Sequence, residues 1–286
     1  MKSNLNKAVL IISIVMVVSF SVAIAVFFAT GGLSVSKIRS SRIEEYKSYE
    51  VQGIKNIEIT TVSSNINVYE SDAEDIEIYL SGDISTNLQD NVPELKAEID
   101  GSELVIYIDH PKAITLGIVN FMDLELDVMI PKDFRGDLDM VSTSGKLDIK
   151  GLYLGDICTN GVSGKVMISD VRASEIEVET TSGRIFLEKI KGDLGISTIS
   201  GEVSSEIEEL TGDIEIDTIS GAVNLEIPAG SGFFLDLESI SGLISNEFGA
   251  EIKYADSDEL EATVGDGKFN IKIKTTSGSI DIKENK

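Results

Sequence analysis

Five carboxylates recur in the second half of this sequence at a near-constant interval: Asp137, Asp156, Glu175, Asp193 and Asp213. Side-chain oxygens suit a hard cation such as Ca2+, and a repeat that stacked them about 4.8 Å apart would leave a repulsion that bound cations relieve. The plainer reading is that four of the five follow glycine at a wet corner, where Gly-Asp is ordinary turn chemistry. Ser-Gly pairs recur at a near-constant interval along the same stretch, with serines at Ser144, Ser163, Ser182, Ser200, Ser220, Ser241 and Ser277. Serine becomes a nucleophile only beside a base, and the single histidine, His110, stands before Pro111 outside the repeats. The pairs therefore read as corners, with glycine supplying close approach or positive φ and the hydroxyl bonding nearby backbone. Cys158 has no second cysteine or neighbouring histidine for a metal site and reads as inert. Gly265-Asp266-Gly267 lacks EF-hand spacing and any Gly-Lys-Ser/Thr, so it reads as a tight turn between Val264 and Phe269. No catalytic or cofactor-binding residue is assigned, and the five carboxylates are the one candidate metal ladder.

The elements that would position them follow from the repeat. Successive serines are 19, 19, 18, 20, 21 and 36 residues apart, a period that marks an array of like units. The last step is close to two periods, as if one unit were lost or enlarged. Units start at Gly136, Gly155, Ser174, Gly192 and Gly212. Two residues on come Leu138, Ile157, Ile176, Leu194 and Ile214; seven on come Thr143, Val162, Thr181, Ile199 and Ile219. Both sets are expected to face inward. After the corner, Leu147, Val166, Ile185, Val203 and Val223, then Ile149, Ile168, Leu187, Ser205 and Leu225, alternate with polar residues, so each unit holds two short strands. Like residues at like offsets favour a parallel solenoid over a meander of hairpins. Gly161 stands where other units have Thr or Ser, and Ser205 falls in an apolar series, so these two coils are expected to be irregular.

The expected fold is all-β: a parallel β-solenoid of about seven coils of 19–20 residues, after an antiparallel β region and one N-terminal transmembrane helix. From Ala8 to Phe28 the chain is almost wholly apolar, enough at about 1.5 Å per residue to cross about 30 Å of hydrocarbon. Ala23-Ile24-Ala25 has the form of a cleavage site, but the apolar run continues past it, which favours an uncleaved anchor. The organisation reads as tip and span over 1–33, linker over 34–50, antiparallel β region over 51–135 and Ser-Gly solenoid over 136–286. The expected location is the cell membrane, single-pass, with the β part on the extracytoplasmic side. With 24 Lys plus Arg against 49 Asp plus Glu, the net charge of -25 excludes a general affinity for nucleic acid or anionic head groups.

Gly53-Ile54-Lys55-Asn56-Ile57-Glu58-Ile59, then Ser63 to Val68, Thr180-Thr181-Ser182-Gly183-Arg184-Ile185, and Lys274-Thr275-Thr276-Ser277-Gly278-Ser279-Ile280-Asp281-Ile282 form an ordered series. The series resembles a bacterial family named "putative adhesins", with repeated T-x-S-G-x-I-x-I coils behind a membrane anchor. The resemblance implies a β-solenoid outside the membrane, a role in adhesion or envelope stress, and no catalytic residues. The expected function is thus a non-catalytic surface protein, an adhesin or a binding or accessory module in envelope sensing. Its expected partners are the membrane, through the N-terminal helix, and an envelope protein or glycan, with no nucleic acid. One alternative is a structural or regulatory envelope protein acting through a membrane partner. Another, a polysaccharide-processing β-helix enzyme, is poorly supported: the chain has no Trp and 6% aromatics to stack on sugars.

Overall fold

A computed structural model describes residues 39–86, 92–110, 121–256 and 258–285. The apolar run from Ala8 to Phe28 lies outside them. Among the described residues every regular element is a β-strand, and no helix is long and apolar enough to cross a membrane.

Alternating apolar residues build seven strands before the Ser-Gly region: β1 (Arg39–Glu50), β2 (Asn56–Thr61), β3 (Asn65–Ser71), β4 (Asp75–Thr86), β5 (Glu94–Asp100), β6 (Glu103–Asp109) and β7 (Phe121–Pro131). The regular repeats supply β8 (Asp137–Ser144), β9 (Leu147–Lys150), β10 (Asp156–Ser163), β11 (Val166–Ser182), β12 (Ile185–Ser200), β13 (Val203–Glu206), β14 (Ile214–Ser220) and β15 (Val223–Pro228). The chain closes with β16 (Phe233–Ser239), β17 (Ile244–Asn246), β18 (Glu251–Ala255), β19 (Glu259–Val264), β20 (Phe269–Ser277) and β21 (Ile280–Asn285).

Strands that precede a Ser-Gly corner, or its equivalent, stack in parallel as an upstream face. Its order is β6, β2, β8, β10, the second halves of β11 and β12, β14, β20 and β16. Strands that follow the corner stack as a downstream face: β7, β3, β9, the first halves of β11 and β12, β13, β15, β21 and β17. β11 and β12 are long because each rounds the return corner from one face to the other. Inward residues of both faces join one core, in columns such as Leu104, Ile57, Leu138, Ile157, Ile176, Leu194, Ile214, Ile271 and Leu235, all buried. Each such side chain contributes about 1.5–3 kcal/mol of burial.

The corners explain the glycines. A Cβ on Gly164, Gly183, Gly201, Gly221, Gly278 or Gly242 would collide with the carbonyl oxygen of the glycine in the adjacent coil: Gly145, Gly164, Gly183, Gly201, Gly221 and Gly278 respectively. Gly145 meets the Ser64 carbonyl in the same way. The seven glycines thus form one column in which neighbouring backbones touch.

Five expectations change. First, the coils do not stack in sequence order. β2 and β3 lie between the β6/β7 layer and β8/β9, and β20 and β21 lie between β14/β15 and β16/β17. No unit is lost at the long step: after β17 the chain builds the antiparallel pair β18–β19 on the outer edge of β16, then returns to fill the adjacent slot. Second, residues 51–135 are only partly antiparallel. β4 pairs antiparallel with β7, and β5 with β6, but β2 and β3 form a parallel coil with Ser63-Ser64 at its corner. Third, residues 39–50 of the expected linker are β1, which pairs antiparallel with β4 and buries Ile43. Fourth, the coils of Gly161 and Ser205 keep register with both neighbours. Fifth, Thr143, Val162, Thr181, Ile199 and Ile219 face outward, because the pleat turns the residue before each of them inward.

Ser205 replaces the leucine of its neighbours Leu187 and Leu225, and its buried hydroxyl finds no partner among the described residues. Ser205→Ala should therefore raise stability by about 1 kcal/mol, read as a higher denaturant midpoint at unchanged slope. Gly201→Ala should do the reverse, lowering stability by about 2–4 kcal/mol because backbone rather than a flexible side chain occupies the new methyl's place. A melting temperature unchanged by Gly201→Ala would show that the coils are not in contact there.

Candidate functional site

The five carboxylates do come to one edge. Asp156 lies beside Glu175, Glu175 beside Asp193, and all five are exposed at the start of the upstream strands. The oxygens of three of them already have a task. Asp137 Oδ1 accepts the backbone N–H of Asp156 at 2.9 Å, Asp193 Oδ1 accepts that of Asp213 at 2.9 Å, and Asp213 Oδ1 accepts that of Asn270 at 2.8 Å. Asp213 Oδ2 also takes the Asn270 amide at 3.0 Å. A Cβ on Gly155 or Gly212 would strike the carboxylate of Asp137 or Asp193, which is why glycine precedes aspartate at these two corners. Asp137, Asp193 and Asp213 are thus clasps from one coil to the next. Among the described residues no group of three or more His, Cys, Asp or Glu is placed to hold a metal ion.

Three of the corner serines are tied into the backbone too. Ser144 Oγ donates to the Val62 carbonyl at 3.2 Å, Ser163 Oγ to that of Thr143 at 3.3 Å and Ser182 Oγ to that of Val162 at 3.5 Å. Cys158 points outward, half-buried; burial first and the carboxylates of Glu177 and Asp139 next push its thiol pKa up, away from the reactive thiolate. Burial lowers the pKa of His110 against the opposing pull of Asp109, so its imidazole is neutral at pH 7. Gly265-Asp266-Gly267 forms the expected turn, with the Gly267 N–H on the Val264 carbonyl at 3.2 Å and both glycines at positive φ.

The residue before each corner gives the upstream face its one apolar feature. In stacking order the stripe reads Val62, Thr143, Val162, Thr181, Ile199, Ile219, Thr276 and Ile240. Val162 is 51% exposed, Ile199 50%, Ile219 53% and Ile240 61%. Val141, Val162, Ile199 and Ile219 line a shallow groove of about 480 Å3, walled by Glu179 and Asp217. Beyond that wall Asp139, Glu177 and Glu215 stand in the next outward column. Lysines enter this face only with the inserted strand β20, where Lys272 pairs with Glu215, and Lys274 with Glu238 at 2.7 Å. β-branched residues one place before Ser-Gly were the signal for this stripe, read in the wrong phase.

At the opposite edge, the return corner stacks Arg135, Tyr153, Arg172, Lys191 and Glu209 on successive coils. Arg135 lies over the Tyr153 ring at 4.4 Å and Arg172 at 5.5 Å. Arg135 Nη1 donates to the carbonyls of Lys132 at 2.6 Å, Phe134 at 2.7 Å and Tyr153 at 3.3 Å, and Lys191 Nζ meets Glu209 at 2.6 Å. This ladder escaped the sequence reading because corner lengths vary, so no fixed offset links its members.

The Toastrack DUF4097 family model matches residues 54–191 and 135–283. Among solved structures the chain is similar to a "putative cell adhesion protein" from Clostridium sporogenes, at 15% identity over 86% of this chain and 100% of that one, with a TM-score of 0.39. A "putative adhesin" from Bacteroides fragilis shares 14% identity over 85% of this chain and 98% of that one, with a TM-score of 0.43. Another "putative adhesin", from Parabacteroides distasonis, shares 12% identity over 85% and 97%, with a TM-score of 0.44. No curated protein matches the chain.

Because its carboxylate is a clasp, Asp193→Ala should lower stability by about 1 kcal/mol even in excess chelator. Denaturant titration with the chelator present checks this, and a loss that appears only when Ca2+ is supplied would return the carboxylates to a cation-binding role.

Proposed function

The chain belongs to the Toastrack DUF4097 family, and we propose that it is a non-catalytic, adhesin-like binding module of the cell envelope. In this reading the apolar segment from Ala8 to Phe28 anchors it in the membrane and the solenoid stands on the extracytoplasmic side. The corner serines, the thiol and the imidazole support a role without covalent chemistry, since none pairs with an activating neighbour among the described residues. The observation that carries the reading is the exposed stripe through Val162, Ile199 and Ile219, bordered by carboxylate columns. A partner that fits it is cationic and extended, with aliphatic contacts for the stripe and amines or guanidinium groups for Glu179 and Asp217. Steering by the acidic face would speed such an encounter and make it salt-dependent.

Cells producing the full chain should be retained on a surface coated with a cationic polypeptide more than non-producing cells, and more than on an anionic coat. Ile199→Ser with Ile219→Ser, both outward and harmless to the core, should abolish most of that difference at equal surface abundance. Equal retention of producing and non-producing cells would sink the adhesin reading; full retention by the double variant would sink the stripe's part in it.

A further inference from the structure

We propose that the chain associates with a second copy of itself, tip to tip, through the end of the solenoid that carries β16 to β19. At this end the two faces differ in height. β19 and β18 extend the upstream stack two strands beyond β16, whereas the downstream stack stops at β17, which leaves a step of about 10 Å. Both edges of the step are open: among the described residues β17 pairs only with β21, and β18 only with β19. Ile280 N–H donates to the Leu243 carbonyl and Glu247 N–H to that of Ile282, so the alternation of the ladder turns the backbone groups of Ile244 and Asn246 to the outer side. The step is also apolar. Ile252 lies opposite Ala262 and Ala262 opposite Leu235, so the three share the inner side of the sheet. Leu235 and Ala262 are fully buried, yet Ile252 is 62% exposed, since the downstream stack ends below it. Ile244 and Leu260 are only half-buried against the core, and Leu243, 79% exposed, and Tyr254, 45% exposed, flank the open strands.

A step is complementary to itself. A two-fold axis parallel to the strands sets the tall face of each copy over the short face of the other, so that β18 of one meets the open edge of β17 in its partner, twice. Five apolar side chains from each copy, Leu243, Ile244, Ile252, Tyr254 and Leu260, give a contact near the lower bound of specific interfaces, about 1,200 Å2 in total. Such a contact is weak singly and effective between surfaces that carry many copies. The chain outside the described residues does not fill the step. It enters β1 at Arg39, beside β4 and β7 at the other end, eight strand spacings or about 38 Å from β16. Residues 87–91 and 111–120 join strands of that same far end and are too short to cross and return. On the reading that Ala8 to Phe28 is held in a membrane, the ten residues before Arg39 reach about 35 Å. The step is then the end farthest from that membrane, where a copy on a facing surface is met first.

Light scattering follows the clustering of phosphatidylcholine vesicles that carry the full chain with its β part outward. Wild-type vesicles should cluster with one another, and more strongly as salt rises from about 0.05 to about 0.3 M, because two chains of net charge -25 repel until screened. Leu243→Asp with Ile252→Asp, both exposed, should raise the surface density needed for half-maximal clustering about ten-fold or more. Ile199→Ser with Ile219→Ser, on the stripe, should change it less than about two-fold. Wild-type vesicles that stay dispersed at high salt, or two double variants that lose clustering equally, would overturn the proposal. Bare vesicles drawn into the clusters would make lipid the occupant and overturn the second copy. On a Cys158→Ser background, a short bis-maleimide should join chains carrying Ser245→Cys to chains carrying Tyr254→Cys in preference to their own kind; joining of like with like alone would overturn the two-fold arrangement. Retention on the cationic coat weakens with salt where this clustering strengthens, so the failure of one reading leaves the other standing.

Discussion

Everything regular in this molecule depends on the contact between glycine backbones at the Ser-Gly corner. The carbonyl of each glycine occupies the place where the next glycine's side chain would start, so no coil can slip along its neighbour without a collision. A lock at one point of each coil fixes every other offset, since strands in register carry side chains in register. Serine hydroxyls, aspartate clasps and apolar columns are then consequences: Ser163 finds the Thr143 carbonyl, and Asp137 the Asp156 N–H, because the corner has already placed them.

Register of this kind favours apolar residues and penalises charged ones, which must stand about 4.8 Å from their own kind. The two coils inserted out of sequence order relieve that conflict. β20 sets Lys272 and Lys274 between Glu215 and Asp217 on one side and Asp236 and Glu238 on the other. At the far end Asn56 donates to Glu103 at 2.6 Å and Asp139 at 2.9 Å, and Asn67 to Glu125 and Asp127, each at 2.7 Å. Sequence order would have laid acidic strands directly on one another. Single exposed pairs contribute at most about 1 kcal/mol, so avoiding repulsion matters more here than gaining attraction. The same excursions leave antiparallel strands β4, β5 and β19 on the outer edges of β7, β6 and β16, with β1 and β18 beyond them, which covers three of the four ends of the parallel stacks.

This division explains what could be read from the sequence. Period, corners and the inward series from Leu138 to Ile214 and from Leu147 to Val223 were legible because each is a local alternation repeated at a fixed offset. The phase of the residue before serine was not, for in Thr-Ile-Ser-Gly both Thr218 and Ile219 are β-branched and only the pleat decides that threonine goes in. Nor was the insertion of β20, since its evidence lies in charges facing it from β14 and β16, 57 and 36 residues away in sequence. The linker hid β1 because Ile43 is its one fully committed apolar residue, and its partner β4 supplies the rest.

A solenoid also changes what net charge means. In an ordinary globule scattered charges average over a surface, and a strongly negative total predicts a negative patch wherever a ligand approaches. Stacking instead sorts residues by offset, so that inward positions form apolar columns while outward ones set acids beside neutral residues, as Asp139, Cys158, Glu177, Gly195 and Glu215 do. An excess of acids at the outward upstream offsets then coexists with cations at the return corner, where Arg172 and Lys191 sit side by side in a chain twice as rich in acids as in bases. The total of -25 describes the long-range field that governs approach; within a screening length of about 8 Å, recognition is decided by which column a partner meets.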